Sequence, residues 1–243
     1  MKRVLVCPVA YNEEVKLKNV VERFLSSPCR DVADYCVIDD GSTDGTQALL
    51  QSFQDRGVAA IRHPERRGVG SAIRTAITYA RDQRYDVIVI MAGNDKDNPD
   101  EIPRLIDPVL SGNFDIVQGS RYLGGNRSGG DMPFYRRQAT RLHSALFSFF
   151  VKSRVTDSTN GFRAMRLAIF DDERINLDQS WLNAYELEPY VLFKAIRCGH
   201  RFCEAPVTKI YPDRHLGYTK MKPVTGWWSI LRPVFLLGLG LRK

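Results

Sequence analysis

With 243 residues, of which 44% are hydrophobic and 26% are charged, the chain is long enough for one large domain or two small ones. Its composition is that of a globular protein with a sizeable core, and it contains neither internal repeats nor low-complexity segments. The first residues, MKRVLVCPVAYNEE, hold too short an apolar run for a secretory signal, and the five cysteines form no CxxC pair. We therefore expect a cytoplasmic protein with reduced, buried thiols.

The formal charge of +7 comes from the last fifth of the chain. Residues 194–243 contain ten Lys and Arg against two Asp and Glu, whereas residues 1–193 contain 25 against 26. This asymmetry predicts an anionic partner for the C-terminal part, such as phosphates, anionic lipid or nucleic acid, unless the charges only form a solvated surface. We expect no nucleic acid, because outside the C-terminal segment no basic stripe alternates with stacking aromatic residues.

Apolar strands and amphipathic helices alternate through the first half of the chain and are joined by short links. Strands are predicted over residues 3–10, 33–40, 58–63, 85–91 and 114–120, and helices over residues 12–27, 42–53, 71–83 and 99–110. Uniformly apolar strands that alternate with helices are typical of parallel strands covered on both faces. The sequence therefore predicts an α/β fold with a mostly parallel central sheet flanked by helices.

Polar side chains follow three of these strands directly, at the point where each strand ends. They are Tyr11 and Glu13 after the first strand, Asp39 and Asp40 at the end of the second, and Asp95 and Asp97 after the fourth. Ligands of open parallel sheets bind beyond the carboxyl ends of the strands, so this placement predicts a nucleotide-type site. Each cluster taken alone is also compatible with simple capping of the helix that follows.

The second half is less regular. We predict a helix over 134–152 with a basic start, a turn-rich segment over 155–166, a helix over 184–199 and a strand over 201–211. A basic loop that contains Gly and Pro follows, and the apolar segment 226–241 contains two Trp residues. Arg232 and Pro233 interrupt this segment, which favours an amphipathic helix at a membrane interface over a membrane span. The alternative is a helix that packs on the domain or on a dimer partner.

Six stretches of the chain together resemble a known family. In order, they are PVAYNEE, VIDDGSTDGT, GVGSAIRTA, VQGSRY, STNGFRAMR and RHLGYTKMKPVTGWWSILRP. They resemble the family 2 glycosyltransferases of GT-A fold, and among these the polyprenyl-phosphate (dolichol-phosphate) mannosyl- and glucosyltransferases. The resemblance covers essentially the whole chain. It implies a GT-A (Rossmann-like) catalytic domain over 1–223, with a nucleotide-sugar-binding half (1–120) and an acceptor half (121–223), and an amphipathic C-terminal segment (224–243).

The resemblance also implies an activity. We expect an inverting enzyme that moves a hexose from a nucleotide-diphosphosugar, of GDP-mannose or UDP-glucose type, to a polyprenyl phosphate. The protein would then be cytoplasmic and peripheral on the anionic surface of the cytoplasmic membrane face. A phosphate monoester has a second pKa of about 6, so it is already a nucleophile at neutral pH and needs no general base.

Two other functions stay open at this point. Relatives that act on sugar hydroxyls carry an acidic pair near the start of the 184–199 helix, where this chain has YELE, with Glu186 as the candidate base. The first alternative is therefore transfer to a saccharide or small-molecule hydroxyl. The second is a non-catalytic nucleotide-sugar-binding module with a degenerate metal loop.

Donor-binding residues can be carried over from the family position by position. Six positions match, of which the first four correspond to base-contacting positions and the last two to nucleotide-binding acids: Pro8, Ala10, Tyr11, Glu13, Asp39 and Asp40. Asn94, in the loop after the fourth strand, is also expected among the donor-binding residues. Carboxylates accept paired donors from a base edge or from ribose hydroxyls, and a tyrosine offers an aromatic face.

The loop VIVIMAGNDKDNP departs from the family, whose fourth strand ends in Asp-x-Asp. Counted back from Pro99, Asp95 matches the second metal acid, Asp97 a further oxygen ligand, and Gly93 falls where the first acid would be. The family implies Mg²⁺ or Mn²⁺, which would neutralise charge on the leaving diphosphate, here at a weakened site of Asp95 and Asp97, or of Asn94 and Asp95. Alternatively Asp97 only caps the next helix, and nearby cations replace the metal.

Cationic residues complete the expected site. Arg214 and Lys220 match residues that grip the donor phosphates, and Arg121, Arg136 and Arg137 match positions that hold the acceptor phosphate. The planar guanidinium group binds phosphate oxygens in pairs, which suits this role. Asp95, Arg121, Arg214 and Lys220 are therefore the expected catalytic residues. Arg163 is expected to brace the site, with Asp157 as its natural partner.

Overall fold

The computed structural model describes residues 3–124, 128–129, 132, 134–210 and 223–242. The main sheet contains β1 (Val4–Ala10), β2 (Asp34–Asp39), β3 (Val58–Arg62), β4 (Val87–Ala92), β5 (Ile116–Ser120), β7 (Arg163–Arg166) and β8 (Phe202–Pro206). Its order is β3-β2-β1-β4-β7-β5-β8, and a second small sheet pairs β6 (Ser128–Gly129) with β9 (Lys209–Ile210). Only β7 runs antiparallel to its neighbours in the main sheet. The predicted mostly parallel α/β fold is confirmed.

Helices cover both faces of the sheet. They are α1 (Glu14–Ser26), α2 (Thr46–Ser52), α3 (Val69–Asp82), α4 (Ile102–Leu110), α5 (Phe134–Val151), α6 (Leu187–Arg197) and α7 (Pro223–Gly238). The first, second and fourth pack on one face, and the others on the opposite face. Along β1, Val4 and Val6 pack on the face covered by α1, α2 and α4, whereas Leu5 and Cys7 pack on the opposite face. Burial on both faces explains why the central strands β1 and β4 are apolar at every position.

The register of the central strands places three strand ends side by side. β1 lies between β2 and β4, and its last residues pair Ala10 with Asp39 and Val9 with Ala92. The loops that follow these strands therefore begin at the same edge of the sheet. Since the predicted polar clusters sit in those loops, the topology brings them together as expected.

Two predicted elements are divided in the structure. The helix predicted over 99–110 begins with a 3-10 turn, Pro99–Glu101, before α4. The strand predicted over 201–211 is interrupted between β8 and β9, where the Thr208 amide donates to the Glu101 carboxylate at 2.7 Å. The side chain of Glu101 takes the place of a strand partner there, so the ladder stops.

The five cysteines are all free, with Cys7, Cys29 and Cys36 buried and the other two half-buried. Burial raises the pKa of the Cys7 thiol well above its usual value, and burial raises the pKa of Cys36 to about 12. These two thiols are therefore protonated at neutral pH and pack as small apolar groups.

The C-terminal helix α7 packs on the domain along one side. Val234 and Leu237 are buried, and the guanidinium of Arg232 lies 2.7 Å from the carboxylate of Glu186. The Ile230 carbonyl oxygen accepts a hydrogen bond from His143 of α5 at 3.1 Å. The predicted helix is thus present and attached through both apolar and polar contacts. In the described part of the chain, no helix is both long enough and apolar enough to cross a bilayer.

Candidate active site

A cavity of about 530 Å³ opens at the carboxyl edge of the sheet. Its loop end is formed by the loops after β1, β2 and β3 and includes Tyr11, Asp40 and Arg66. Its helical end is formed by α5 and α7 and includes Arg136, Thr140 and Trp227. The volume is in the range usual for small-molecule sites. One continuous space therefore joins the strand-end loops to the basic start of α5.

The predicted site residues divide into three groups. Those that line the cavity are Ala10, Tyr11, Glu13, Asp40, Asn94, Arg121 and Arg136. Those that lie outside its lining are Pro8, Asp39, Asp95, Asp97 and Arg137. Arg214 and Lys220 lie outside the described residues, so their roles stay predictions.

The two acids at the end of β2 are buried and hold the surrounding loops. The carboxylate of Asp40 accepts hydrogen bonds from the amides of Arg67 and Gly68, both at 2.8 Å, and lies 2.9 Å from His63 Nδ1. Asp39 accepts from the Ser42 amide at 2.9 Å and so closes the tight turn after β2. These contacts hold the backbone of the loops after β2 and β3, which form the base of the cavity's loop end, in place without a ligand.

The glycines of the GVG stretch allow the loop after β3 and the start of α3 to lie close to residues 182–184. Gly68 has a φ of +100°, which L side chains rarely adopt. A methyl group on Gly70 would collide with the carbonyl oxygens of Leu182 and Ala184. The close approach brings the start of α6 next to the start of α3, so that Ala184, Tyr185, Glu188 and Pro189 reach the cavity.

An aromatic and cationic pair stands at the mouth of the loop end. The guanidinium of Arg66 lies over the ring of Tyr11, 4.4 Å from its centroid. The loop that carries Tyr11 is tied to the next one, because the Asn12 amide donates to Ser42 Oγ at 2.9 Å and Asn12 Oδ1 accepts from the Thr43 amide at 2.7 Å. The two loops therefore form one unit. Arg66 has no distinctive sequence pattern, and our sequence analysis missed it.

The loop after β4 presents a lysine to the cavity, while its two acids bond to other parts of the protein. Asp95 has a left-handed backbone (φ +61°), and its carboxylate binds the guanidinium of Arg23 and the amide of Asn19 on α1. Asp97 is buried and accepts from the Ala92 amide at 3.0 Å and from Lys209 Nζ at 2.8 Å. Lys96, between them, lines the cavity and is only 6% exposed.

Positive charge accumulates around Lys96. Burial, together with the smaller effects of the charges of Lys209, Arg136 and Lys16, lowers the pKa of the Lys96 amine to about 8. Glu13 opposes this effect. Lys209 also lines the cavity and donates to Asn160 Oδ1 at 2.9 Å. Neither lysine was among the predicted site residues. The only signal for Lys96 in the sequence was its position inside the expected metal loop.

Arg121 is held by a buried ion pair. Its guanidinium donates to both carboxylate oxygens of Asp157 at 2.7 Å and to Thr159 Oγ1 at 2.7 Å. Burial alone would raise the pKa of Asp157, but the charge and hydrogen bonds of Arg121 hold that pKa below its usual value. The expected partnership of Asp157 with Arg163 is therefore wrong as a direct contact. Arg163 donates instead to the carbonyl oxygens of Glu188 and Asn160, because the turn at 157–160 directs Asp157 toward β5.

The two glutamates of the YELE stretch have different positions. Glu186 forms the ion pair with Arg232 that attaches α7, whereas Glu188 lines the cavity. Burial raises the pKa of the Glu188 carboxyl, and the nearby charge of Arg163 opposes that rise. Glu188, rather than Glu186, is thus the acid of this helix that reaches the site.

Metal-ligand geometry can be tested against these contacts. Within the described residues, no group of three or more His, Cys, Asp or Glu side chains is placed to hold a metal ion. Asp95 and Asp97 each bind a cationic side chain of the protein. Asn94 Oδ1 is buried, and in the described part of the structure it accepts no hydrogen bond, but it is a neutral ligand. This donor set does not fit a divalent cation, which prefers carboxylates directed into its site.

Comparisons with known proteins agree with the fold and the motifs. The model of the family "Glycosyl transferase family 2" matches residues 6–174. A polyprenol monophosphomannose synthase from Mycolicibacterium smegmatis is 30% identical over 224 residues, which cover 90% of this chain and 81% of that protein. An undecaprenyl-phosphate mannosyltransferase from Micrococcus luteus is 29% identical over 221 residues, covering 90% of this chain and 87% of that protein.

A solved structure resembles the whole chain. Glucosyl-3-phosphoglycerate synthase from Mycobacterium tuberculosis, in complex with Mn²⁺, uridine diphosphate and phosphoglyceric acid, superimposes with a TM-score of 0.71. The alignment covers 100% of this chain and 80% of that one, at 19% sequence identity. At this identity the likeness bears on the fold alone, which is that of the GT-A enzymes.

Proposed function

Because the chain belongs to glycosyl transferase family 2, we propose that it transfers a hexose from a nucleotide-diphosphosugar to a polyprenyl phosphate, with inversion at the anomeric carbon. The observation that carries this proposal is the continuous cavity that joins the strand-end loops to a basic, partly apolar helical end. A donor and an anionic lipid need such a space if they are to meet at one reacting carbon. The two mannosyltransferases to which the chain is similar act, by their names, on polyprenol or undecaprenyl phosphate.

The loop end is proposed to bind the nucleotide. The stacked pair of Arg66 and Tyr11 offers a flat surface for a base, and Asp40 fixes the backbone of the loop beneath it. Asn94 Oδ1, which accepts no hydrogen bond in the described structure, offers an acceptor to a donor hydroxyl. Pro8 and Asp39 act indirectly in this proposal, by shaping the ends of β1 and β2. GDP-mannose and UDP-glucose types of donor are both compatible with it.

The helical end is proposed to bind the acceptor phosphate. Arg136 and Thr140 line it, and Arg121 lies between the two ends, already oriented by Asp157. A dianionic phosphate attacks without a general base, since its second pKa is about 6. The roles of Arg137, Arg214 and Lys220 in binding phosphates are part of the same proposal.

A divalent cation is not needed for any step of this proposal. Mg²⁺ or Mn²⁺ at Asp95 and Asp97 would have to displace Arg23 from one acid and Lys209 from the other. The neighbour from Mycobacterium tuberculosis was solved with Mn²⁺, so the expectation of a weakened metal site has a precedent in the fold. The contacts of this chain favour the alternative, in which side-chain cations balance the diphosphate.

A membrane-facing surface is proposed on α5 and α7. Tyr135, Leu142 and Phe149 of α5 are 67%, 63% and 76% exposed, and their spacing of seven residues places them on one face. Trp228 of α7 is 58% exposed, and Phe150 connects the two helices through its contact with Phe235. We name these residues (Tyr135, Leu142, Phe149 and Trp228) the apolar face. Exposed apolar and aromatic side chains next to the basic helical end are typical of peripheral binding to an anionic membrane.

Transfer to a hydroxyl remains a second candidate function, because one observation favours it. Glu188 is a half-buried carboxylate in the cavity with a raised pKa, as expected of a general base that activates a hydroxyl. Its proximity to Arg163 also agrees with a purely structural role.

The experiment is a transfer assay with the full chain. Radiolabelled GDP-mannose or UDP-glucose is supplied with polyprenyl phosphate in phosphatidylglycerol-containing vesicles, or with free saccharides in place of the lipid. We expect label in the lipid phase, and inverted anomeric configuration in the product by NMR. Label on the saccharides alone would establish the second candidate. Tight nucleotide binding without transfer or donor hydrolysis would mean a non-catalytic binding module and would overturn the proposal.

A further inference from the structure

The loop after β4 is arranged so that its lysine, and neither of its acids, faces the cavity. Left-handed backbone at Asp95 turns consecutive side chains apart, so the carboxylate of Asp95 points to α1 and Lys96 lies in the cavity. The bond of Asp95 to Arg23 holds the loop in this form. A loop whose family counterpart carries acids thus directs positive charge at the site.

Several contacts fix Lys96 from the other side. The carbonyl oxygen of Lys96 accepts from the Ile210 amide at 2.9 Å, and Asp97 pairs with Lys209 both through its side chain and through the backbone. β9 and the loop are therefore joined as one piece. As a result Lys96, in the loop after β4, and Lys209, in β9, both line the cavity.

The location of these amines suits a diphosphate. The loop follows β4, which is the neighbour of β1, whose own loop carries Tyr11 at the mouth of the loop end. Lys96 is 6% exposed, and its neighbours Lys209, Arg136 and Lys16 are all cations. Lys96 and Lys16 are buried, whereas Lys209 and Arg136 are half-buried, and the acids Asp97 and Glu13 already pair with Lys209 and Lys16. An anionic diphosphate in the cavity adds further negative charge beside this cluster and lowers the repulsion among its cations.

Resting on the proposed function, we propose that Lys96, assisted by Lys209, binds the donor diphosphate and supplies the positive charge that a divalent cation would otherwise supply. During transfer an oxygen of the acceptor phosphate forms the new bond to the anomeric carbon. The bond from that carbon to the donor's diphosphate breaks, and its electron pair stays on the diphosphate, which gains one negative charge. The acceptor phosphate loses one, so no proton or metal is required for balance. Lys96 stabilises the charge that develops on the leaving group.

The test is calorimetric binding of GDP and UDP to the full chain, in EDTA and in Mn²⁺. For the wild type we expect the same affinity in both conditions. Lys96→Met, which keeps the length of the side chain, is expected to lower the affinity about ten- to a hundredfold, as for the loss of one charged hydrogen-bonding partner. Lys18→Met is the matched control, because Lys18 is exposed on α1 and does not line the cavity.

A second variant makes the test independent of simple damage to the site. In Lys96→Asp the charge is reversed, so the variant is expected to bind nucleotide poorly in EDTA. Mn²⁺ is expected to restore its affinity at least tenfold, because the cavity then contains a carboxylate for the ion. Thermal unfolding of both variants verifies that they are folded.

The outcomes separate this proposal from the proposed function. If the wild type binds neither nucleotide in either condition, both fail. Should the wild type bind only with Mn²⁺, the role of Lys96 is overturned while the proposed function stands. Equal affinity of the folded Lys96→Met variant and the wild type would likewise exclude Lys96 from diphosphate binding.

Discussion

At the loop end of the cavity, the residues that shape the site are neighbours in sequence or belong to adjacent strand-end loops. Asp40 bonds to the amides of Arg67 and Gly68, and Asn12 bonds to Ser42 and Thr43. From Arg121 toward the helical end, by contrast, ion pairs join segments that are not adjacent strand-end loops, as in the pairing of Arg121 with Asp157 and of Glu186 with Arg232. The comparison teaches that the loop end is built from short motifs, whereas the helical end depends on how the second half of the chain packs.

The largest expected effect concerns the buried pair at the helical side. The side chains of Arg121 and Asp157 are 5% and 0% exposed, so removing one partner leaves a buried charge without its counter-ion. We expect Asp157→Leu to lower the free energy of unfolding by about 3–5 kcal/mol in urea denaturation. The double variant Arg121→Met/Asp157→Leu should recover most of that loss, because both charges are then absent.

This pair also sharpens the comparison between the two ends. The folded double variant should bind GDP or UDP as the wild type does but transfer sugar poorly to polyprenyl phosphate, since Arg121 is proposed to contact the acceptor. An equal loss of nucleotide affinity and transfer would contradict that assignment. It would mean that Arg121 serves the whole cavity rather than the acceptor.

At the loop end, Asp40→Asn is the corresponding change. An amide offers one acceptor oxygen where the carboxylate of Asp40 serves two backbone amides, so one of them loses its partner. We expect a loss of about 1–3 kcal/mol in stability and about a tenfold loss in nucleotide affinity by calorimetry. Asp55→Asn, at an exposed position, is the control. Unchanged nucleotide affinity in a folded Asp40→Asn protein would remove Asp40 from the site.

The apolar face allows a test that involves neither end of the cavity directly. Trp228→Ser and Phe149→Ser should each weaken binding to phosphatidylglycerol vesicles about tenfold in a sedimentation assay, as expected for one buried aromatic group. Val32→Ser, which removes an apolar side chain of 51% exposure elsewhere, should have no effect. If the wild type itself stays in the supernatant, the proposed membrane surface is wrong.

The features that could be predicted from the sequence are those built from short local motifs, and the features that could not are those that depend on packing between distant segments. The strands, the parallel sheet and the clusters at Tyr11, Asp40 and Arg121 were predictable, because periodicity and contiguous motifs determine them. The orientation of Asp95 was not, since it depends on a left-handed backbone and on Arg23, 72 positions away. The same holds for Lys209 and Glu188, whose places in the cavity follow from pairing and packing of distant segments. No local pattern marks Lys209, and the YELE stretch does not distinguish Glu188 from Glu186.

The smallest expected effect is that of a substitution at the edge of the sheet opposite the cavity. It serves as a reference for the substitutions at the loop end and at the helical end of the cavity. Asp115, just before β5, accepts hydrogen bonds from the backbone and guanidinium of Arg201. These bonds, against the opposing effect of burial, lower the pKa of Asp115 to about 2.

A carboxyl whose folded pKa is depressed adds stability above its unfolded pKa of about 3.9, and that stability is lost as the pH falls through the folded value. Asp115→Asn should therefore lower the free energy of unfolding by about 1 kcal/mol at pH 7, a value reduced by solvent screening, and the difference from wild type should shrink between pH 4 and pH 2. Nucleotide affinity should not change, because Asp115 does not line the cavity. A pH-independent difference in stability would show that the Arg201 pairing contributes through packing rather than charge, and a change in nucleotide affinity would show that the two edges of the sheet are coupled.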